Sequence, residues 1–276
     1  GNRPNLSYGT ENIMYLFNCW FPRNTSMSAL ENYWQSGREG INQFGWNYNY
    51  HDNPYFNVYE NTNSQDLNRV FGNLSLNYQF TPALSLMLRS GTDINNEFRA
   101  RKRAYSTQRF KLGSYREEKI FSEERNTDFL LAYAPQSNTD FSYSVSLGGN
   151  RLDQRFNLSD VSAPELAVPG IYSLNNSKVA IQSYAFNSQK RINSLYAFSN
   201  LGYKDYLFLD LSLRNDWSST LPTDNNSYLY YSASSSLVFS ELLNLDNKSL
   251  SFGKLRVGYA QVGNDTNPYQ LLATYN

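Results

Sequence analysis

The most constraining feature of the chain is a strict alternation of apolar and small polar residues at positions 141–147, Phe-Ser-Tyr-Ser-Val-Ser-Leu. Successive side chains of a β-strand point to opposite faces, so one face would carry the aromatic and aliphatic residues and the other the serines. Similar alternation recurs at 74–80, 207–213 and 255–259. The polar positions of 141–147 and 74–80 carry small hydroxyl and amide groups where soluble strands usually carry charges. The pattern therefore predicts a sheet whose apolar face meets a large, continuous apolar surface.

The composition limits the classes of function. The 276 residues include 24 Lys and Arg and 24 Asp and Glu, so no net charge attracts nucleic acid. Charged residues make up 17% of the chain, against about 25% in typical soluble domains. No apolar run approaches the roughly 20 residues of a membrane helix, but a transmembrane strand needs only about 9–11 residues, every second one apolar. A single cysteine, Cys19, excludes an internal disulfide, and we expect it to be buried beside two aromatic neighbours.

From residue 66 onward the hydrophobic period is two. We predict eight strands, at 67–80, 84–105, 114–134, 141–157, 188–203, 206–217, 228–240 and 254–263. Short turns follow at 81–83, 134–140 and 204–205, with a longer turn at 241–253, whereas the alternate connections at 106–113, 158–187 and 218–227 are mostly longer. Short turns on one rim and long loops on the other are the layout of an outer-membrane barrel. The predicted fold is thus all-β, an antiparallel up-and-down transmembrane β-barrel segment.

The first 66 residues are predicted to be a loop region with one short helix at 27–35, because Ser28 and Glu31 match a capping box.

Aromatic residues gather at the short-turn ends of the strands, as in an interfacial girdle. They are Tyr78, Phe80, Tyr133, Phe141, Tyr203, Tyr206 and Phe239.

The opposite strand halves are charged, and we expect Arg99, Arg101 and Arg103 to face acids of the next strand across a hairpin. Those acids are Glu117, Glu118, Glu123 and Glu124. At 148–149 two glycines mark a strand bend or a close neighbour.

Four segments resemble SusC/RagA-type TonB-linked outer-membrane transporters: 20–23, 163–176, 200–222 and 254–271, the last reading KLRVGYAQVGNDTNPYQL. The resemblance implies a 22-stranded barrel with an N-terminal plug, powered by the TonB complex and working with a SusD-like surface lipoprotein. It also implies a bacterial outer-membrane location and import of oligosaccharides or peptides. We therefore expect a middle portion of the barrel, with an extracellular loop region at 1–66 and strands and loops at 67–276. An export signal, plug domain, TonB box and closing strands are expected to be absent, the remaining strands being supplied by another part of the protein.

Two alternatives stay open at this stage, namely a soluble β-sandwich or lectin-like glycan-binding module and a passive porin. We expect no enzyme activity, because His51 is the only histidine and no partner is fixed near it. No cofactor or metal is expected, since the Asx-rich segments 93–97 and 264–267 match Asx turns better than a calcium loop.

Candidate substrate-binding residues are chosen by chemical type. Sugars are bound by flat rings together with amides and carboxylates in a concave surface. The first loop region and a later outer rim offer such groups: Trp46, Tyr48, Tyr50, His51 and Asp52, and Trp217, Asp224 and Tyr228. The alternative is that these side chains pack the loops together or against a lipoprotein lid.

Overall fold

The structure, a computed structural model, describes residues 12–47, 49–136, 139–243 and 250–271. Its main element is one eight-stranded sheet in which every strand neighbours the next in sequence. The strands are β1 (Asn63–Thr81), β2 (Leu84–Thr107), β3 (Phe110–Tyr133), β4 (Phe141–Ala163), β5 (Gln182–Tyr203), β6 (Leu207–Ser218), β7 (Ser227–Val238) and β8 (Lys254–Ala260). The order β1 to β8 is antiparallel and up-and-down, which confirms the predicted fold class.

Three short α-helices accompany the sheet in the described residues: α1 (Ile13–Cys19), α2 (Pro54–Tyr59) and α3 (Phe239–Leu242). Asn12 caps α1, because its Oδ1 accepts hydrogen bonds from the backbone N–H groups of Met14 and Tyr15 at 2.9 and 3.1 Å. Asn53 caps α2 in the same way, with a proline in the first turn of that helix. Within the described ranges, no helix has the length and apolarity needed to cross a bilayer.

The predicted helix at 27–35 is wrong. Only Ser28–Leu30 forms one turn of 3₁₀-helix. The carbonyl of Leu30 accepts a hydrogen bond of 2.9 Å from the Asn53 amide, so it is engaged by a side chain where a longer helix would use a backbone N–H. Further on, Trp34 pairs with Gln43 in an antiparallel bridge, and the glycines between them adopt positive φ. Tertiary hydrogen bonds have overridden the capping signal here.

Strands β1 to β7 are longer than predicted at the loop ends, whereas β8 ends at residue 260 and not at 263. The connection expected at 106–113 is a tight turn at 108–109, since β2 and β3 continue to residues 107 and 110. Gly113 is therefore a strand residue with φ of 64°, and a Cβ there would lie 2.7 Å from the Arg103 carbonyl oxygen. Close packing, and not a loop, requires glycine at this position. The long connection at 158–187 likewise shrinks to 164–181.

Two further expectations are corrected. Cys19 is exposed at the end of α1, because the helix buries Leu16 and turns its last residue outward. Phe239 begins α3 and lies outside β7, which was predicted to extend to residue 240. Its ring occupies the space that a side chain at Gly253 would need, so the glycine permits this packing.

The chain divides into two compact units. Unit 1 comprises Gly1–Arg69, Asn95–Ser122 and Phe156–Asn187, and unit 2 comprises Val70–Ile94, Glu123–Arg155 and Ser188–Asn276. Unit 1 has an ordinary apolar core, in which Ala100, Tyr115, Ala163 and Leu166 pack together. Of the three arginines predicted to face acids of the next strand, Arg101 does so, with its Nη2 2.9 Å from Glu118 Oε2. For the other two the prediction is wrong, because Arg99 pairs with Glu97 of its own strand and Arg103 donates to Asn63 Oδ1.

Unit 2 has the reverse distribution of apolar and polar groups. We call the apolar face of unit 2 the sheet surface formed by large side chains that are at least 40% exposed: Leu74, Leu76, Tyr143, Val145, Leu147, Leu195, Leu211, Leu213, Leu229, Tyr231, Leu255 and Val257. Apart from glycines, the buried residues described in unit 2 are polar, with Val238 as the exception. A soluble β-sandwich buries its apolar row, so this unit does not have the organisation of one.

The aromatic residues predicted to form a girdle lie at the short-turn end of unit 2. Several of their rings touch: Tyr78 and Phe80 at 4.8 Å between centroids, and Phe141 and Tyr203 at 4.6 Å. Tyr203 also meets Tyr206 edge to face at 5.6 Å. Ring contacts within β1, between β4 and β5 and with the turn after β5 make this end of the sheet an aromatic belt.

Candidate functional site

The opposite surface of the unit 2 sheet, which we call the polar face, is organised by hydrogen bonds that run across the strands. The register aligns Asn200 of β5 with Asp210 of β6 and Ser234 of β7. Asn200 Nδ2 donates to Asp210 Oδ1 at 2.7 Å, and Ser234 Oγ donates to Asp210 Oδ2 at 3.3 Å. Ser144 Oγ of β4 joins the row by donating to Asn200 Oδ1 at 3.2 Å. The uncharged serine face of the sequence is thus part of a ladder of polar groups.

A second row of the polar face is built around Arg214. Its Nε donates to Asp216 Oδ1 at 2.8 Å, and its Nη2 donates to Ser194 Oγ at 2.9 Å. The hydroxyl of Tyr230 donates to the other oxygen of Asp216 at 2.6 Å. The guanidinium also lies 5.7 Å from the ring centre of Tyr196, within cation–π range. This Arg214 network presents a cation, a buried carboxylate and phenol groups on one surface.

Arg89 and Asp128 form a third polar element in unit 2. Arg89 Nε and Nη2 each donate to one carboxylate oxygen of Asp128 at 3.0 Å, a bidentate pair. Half of the Arg89 side chain remains exposed, whereas Asp128 is buried. Gly148 leaves room for the Tyr196 ring, because a Cβ at residue 148 would overlap that ring. The close approach predicted for this glycine is confirmed.

The first loop region places several candidate residues together in unit 1. The rings of Trp46 and His51 are stacked at 5.6 Å, and Trp20 lies 5.7 Å from the same imidazole. His51 is buried, and burial lowers its pKa from the ordinary value of 6.5. Asp52 Oδ1 accepts from the Gln43 amide at 2.7 Å and from the Gln108 backbone at 2.9 Å. His51 and Asp52 therefore hold loops together in this structure.

The remaining candidates do not converge. Tyr50 is 67% exposed at the surface of unit 1, and Tyr48 lies outside the described residues. In unit 2, Trp217 pairs with Ser227, whereas Tyr228 pairs with Asp216, so the two rings belong to opposite faces of the sheet. Asp224 is exposed in the 3₁₀ turn between β6 and β7. Of this group, Tyr228 alone joins the polar face, where it stacks on Tyr230 at 6.0 Å.

Sequence reasoning missed the Arg214 network as a site. Arg214 and Asp216 are separated by one residue, as are Tyr228 and Tyr230, so the period of two already placed each pair on one face. The register between strands, which brings the two pairs together, was the missing information. Among the described residues no cluster of three or more His, Cys, Asp or Glu side chains could hold a metal ion.

Comparisons with known proteins give a structural likeness. No protein-family model and no curated protein matches the chain significantly. The structure of the RagAB peptide transporter matches with a TM-score of 0.74 and 19% identity, covering 82% of this chain and 26% of that chain. The RagAB peptide importer in its closed-closed state matches at 0.70 and 19%, covering 78% of this chain and 24% of that one. Its open-open state matches at 0.69 and 18%, with 76% and 24% covered.

The chain spans about a quarter of the length of the chains that it matches. At these identities the likeness concerns the fold. The resemblance to SusC/RagA-type transporters that the sequence motifs indicated is confirmed at that level. The eight up-and-down strands therefore have the fold of a segment of this type of transporter.

Proposed function

We propose that the chain is part of a TonB-dependent importer of large nutrients in the bacterial outer membrane. The observation that carries this proposal is the reversed burial of unit 2, whose large apolar side chains are exposed while its buried side chains are polar. An exposed apolar face with this extent is compatible with contact to lipid, and a polar face with the wall of a water-filled passage. The fold likeness to the RagAB structures supports the same class of function.

The segment 1–66 is proposed to lie on the outer side of the membrane, with strands and loops at 67–276. Because an open sheet has unpaired backbone groups at both edges, β1 and β8 would pair with further strands of a complete barrel. A SusD-like lipoprotein and the TonB complex are the proposed partners. We propose no catalytic role, since His51 is buried against the rings of Trp20 and Trp46 and no hydrogen bond to a nucleophilic side chain is found for it among the described residues.

Peptides are the first proposed substrate class. The matched structures are described as a peptide importer, and the polar face offers paired charges and hydrogen-bonding groups that suit a peptide backbone and its termini. Oligosaccharides are the second class. The rings of Tyr196, Tyr228 and Tyr230 beside serine and asparagine groups favour them, because sugar C–H faces pack on aromatic rings. Trp46, Tyr50, Trp217 and Asp224 remain proposed contacts at the loop end, together with Tyr228.

Uptake by cells that express the full-length protein tests the proposal. Labelled peptides and oligosaccharides are supplied separately, in cells with and without TonB. We expect accumulation of one class that requires TonB and falls when Arg214 is replaced by Met at unchanged surface abundance. Accumulation that persists without TonB would favour the passive porin. Absence of the protein from the membrane fraction would contradict the proposal altogether.

A further inference from the structure

An arginine cluster lies on the same surface of unit 2 as the apolar face, next to its aliphatic residues. Along β4 the outward positions are apolar from Phe141 to Leu147, and they become Arg151, Asp153 and Arg155 further along. Arg151 thus follows Phe141 by about ten residues, which is the length that a tilted strand needs to cross a bilayer. The cluster begins where hydrocarbon contact would end.

Neighbouring strands bring further arginines to the same place. Arg125 of β3 has Nη2 3.0 Å from Glu123 Oε1, and Arg155 has Nη1 3.8 Å from the other oxygen of that carboxylate. Asp153 accepts from two sides, from Arg151 Nε at 2.7 Å and from Arg191 Nε of β5 at 2.5 Å. We call Arg125, Arg151, Arg155 and Arg191, together with Glu123 and Asp153, the arginine cluster.

The arginine cluster is cationic and outward-facing. Its four guanidinium groups and two carboxylates leave a formal excess of two positive charges. The arginine side chains are 51–57% exposed, whereas Glu123 and Asp153 are 16% and 32% exposed. The two carboxylates therefore lie beneath the arginines and orient the guanidinium groups through ion pairs. Arg151 and Arg191 engage Asp153 through Nε, and both residues line a surface cavity of about 560 Å³.

Other charges near the cavity do not cancel this excess. Lys190 also lines it, but its Nζ forms an ion pair with Asp265 Oδ1 at 2.6 Å. The side-chain amide of Gln154 donates to Glu124 Oε2 at 2.9 Å, so it is already hydrogen-bonded. Within the described residues that line the cavity, Glu123 and Asp153 are the acidic ones. An anion would thus meet four arginines, whose planar donor groups match the geometry of phosphate oxygens.

We propose that the arginine cluster binds the phosphate-bearing headgroup of a lipid in the leaflet on the long-loop side of the membrane. The inference rests on the proposed membrane location, because it needs the apolar face to lie in lipid. The position favours a lipid over a soluble anion: the cluster adjoins the exposed apolar side chains of Leu195 and Phe129, which would contact the acyl chains of the same molecule. Basic clusters at the membrane surface bind anionic headgroups in this way.

The test uses the full-length protein in detergent and diphosphorylated lipid A as the probe, with bound lipid counted by native mass spectrometry. The variant R151Q/R191Q should weaken lipid A retention by about tenfold, because two headgroup contacts are removed. R125Q/R155Q, which changes the other half of the cluster, should act in the same direction. The matched control R38Q/K111Q removes two exposed cations from unit 1 and should retain lipid A like the parent protein.

Several results would overturn the inference. These are unchanged lipid A retention in both cluster variants, an equal loss in the control, or equal retention of dephosphorylated lipid A by the parent protein. Inorganic phosphate that binds as tightly as lipid A would show a site for free anions. Insertion of the parent protein into vesicles, followed by heat-dependent gel mobility, is measured in parallel. A protein that inserts but ignores the substitutions contradicts this inference alone, and one that does not insert contradicts the proposed function.

Discussion

Single side chains on the polar face of unit 2 depend on space left by glycine. Gly148 faces the ring of Tyr196, and that ring lies against Arg214. A methyl group at residue 148 would force the ring to move, so the Arg214 network would lose one of its walls. Sequence alternation placed Tyr196 and Arg214 on strands, but the need for glycine arises from a contact between strands that the local pattern does not contain.

We expect Gly148→Ala to destabilise the folded protein by about 1–3 kcal/mol, the usual cost of overpacking. Gly72→Ala is the control, because a Cβ there meets no atom within 4 Å. Urea midpoints of the full-length protein in lipid vesicles measure the difference. Equal midpoints for the two variants would show that Tyr196 moves without cost.

His51 should make the first loop region sensitive to pH. Burial lowers its pKa in the folded state below the ordinary value of 6.5, so between these two values the unfolded segment binds more protons than the folded one. Stability is then highest above pH 6.5 and decreases as the pH falls through the folded-state pKa. Protection factors of the amides at 43–57, which are exchange rates corrected for the pH dependence of intrinsic exchange, measure this loss when compared at pH 7.5 and 5.

The variant His51→Gln should remove the pH dependence of that exchange, since it has no titratable group at the position. The comparison separates the imidazole from Asp52, whose carboxylate is retained. Protection factors that fall equally at low pH in both proteins would assign the effect to another group.

At the scale of elements, the period of two predicted the number, type and order of the eight strands. It could not predict their length at the loop ends, because there Gly113 and Ser106 take positive φ inside a continuous hairpin. The helix at 27–35 failed for a related reason: the carbonyl of Leu30 is bound by Asn53, which is distant in sequence. By contrast, the Asn53–Pro54 pair that begins α2 was a local signal and could have been used.

Neighbouring residues of β6 provide a sharp test of the two faces. Leu211 lies on the apolar face and is 40% exposed, while Ser212 lies on the polar face and hydrogen-bonds Ser232 at 2.7 Å. Leu211→Arg should cost about 2–4 kcal/mol if the residue is near the middle of the bilayer. Ser212→Arg should cost less, because the proposed function places its face against a water-filled passage. Unfolding free energies in vesicles measure both, and a larger cost for Ser212→Arg would reverse the assignment of the faces.

At the scale of the molecule, the two units differ in which side chains they bury and which they expose. Unit 1 buries Ala163, Leu166 and Phe56 in ordinary cores. Unit 2 exposes its large aliphatic side chains and buries polar ones such as Asp216 and Ser194. The alternation at 141–147 therefore belongs to a sheet with an exposed apolar face and a hydrogen-bonded polar face, and the candidate site lies on the polar face. Which candidates share the site depends on strand register, and so the sequence alone grouped Trp217 with Tyr228 although they lie on opposite faces.

The central claim is that the apolar face of unit 2 contacts lipid. To test it directly, each of residues 142–145 is replaced in turn by cysteine in a Cys19→Ser background and labelled with a nitroxide. The labelled full-length protein is measured in lipid vesicles. Collisions with molecular oxygen, which concentrates in lipid, are compared with collisions with a water-soluble nickel chelate. We predict that labels at Tyr143 and Val145 meet oxygen preferentially and labels at Ser142 and Ser144 meet nickel. Nickel access at Tyr143 and Val145 equal to that at the serines would contradict the account.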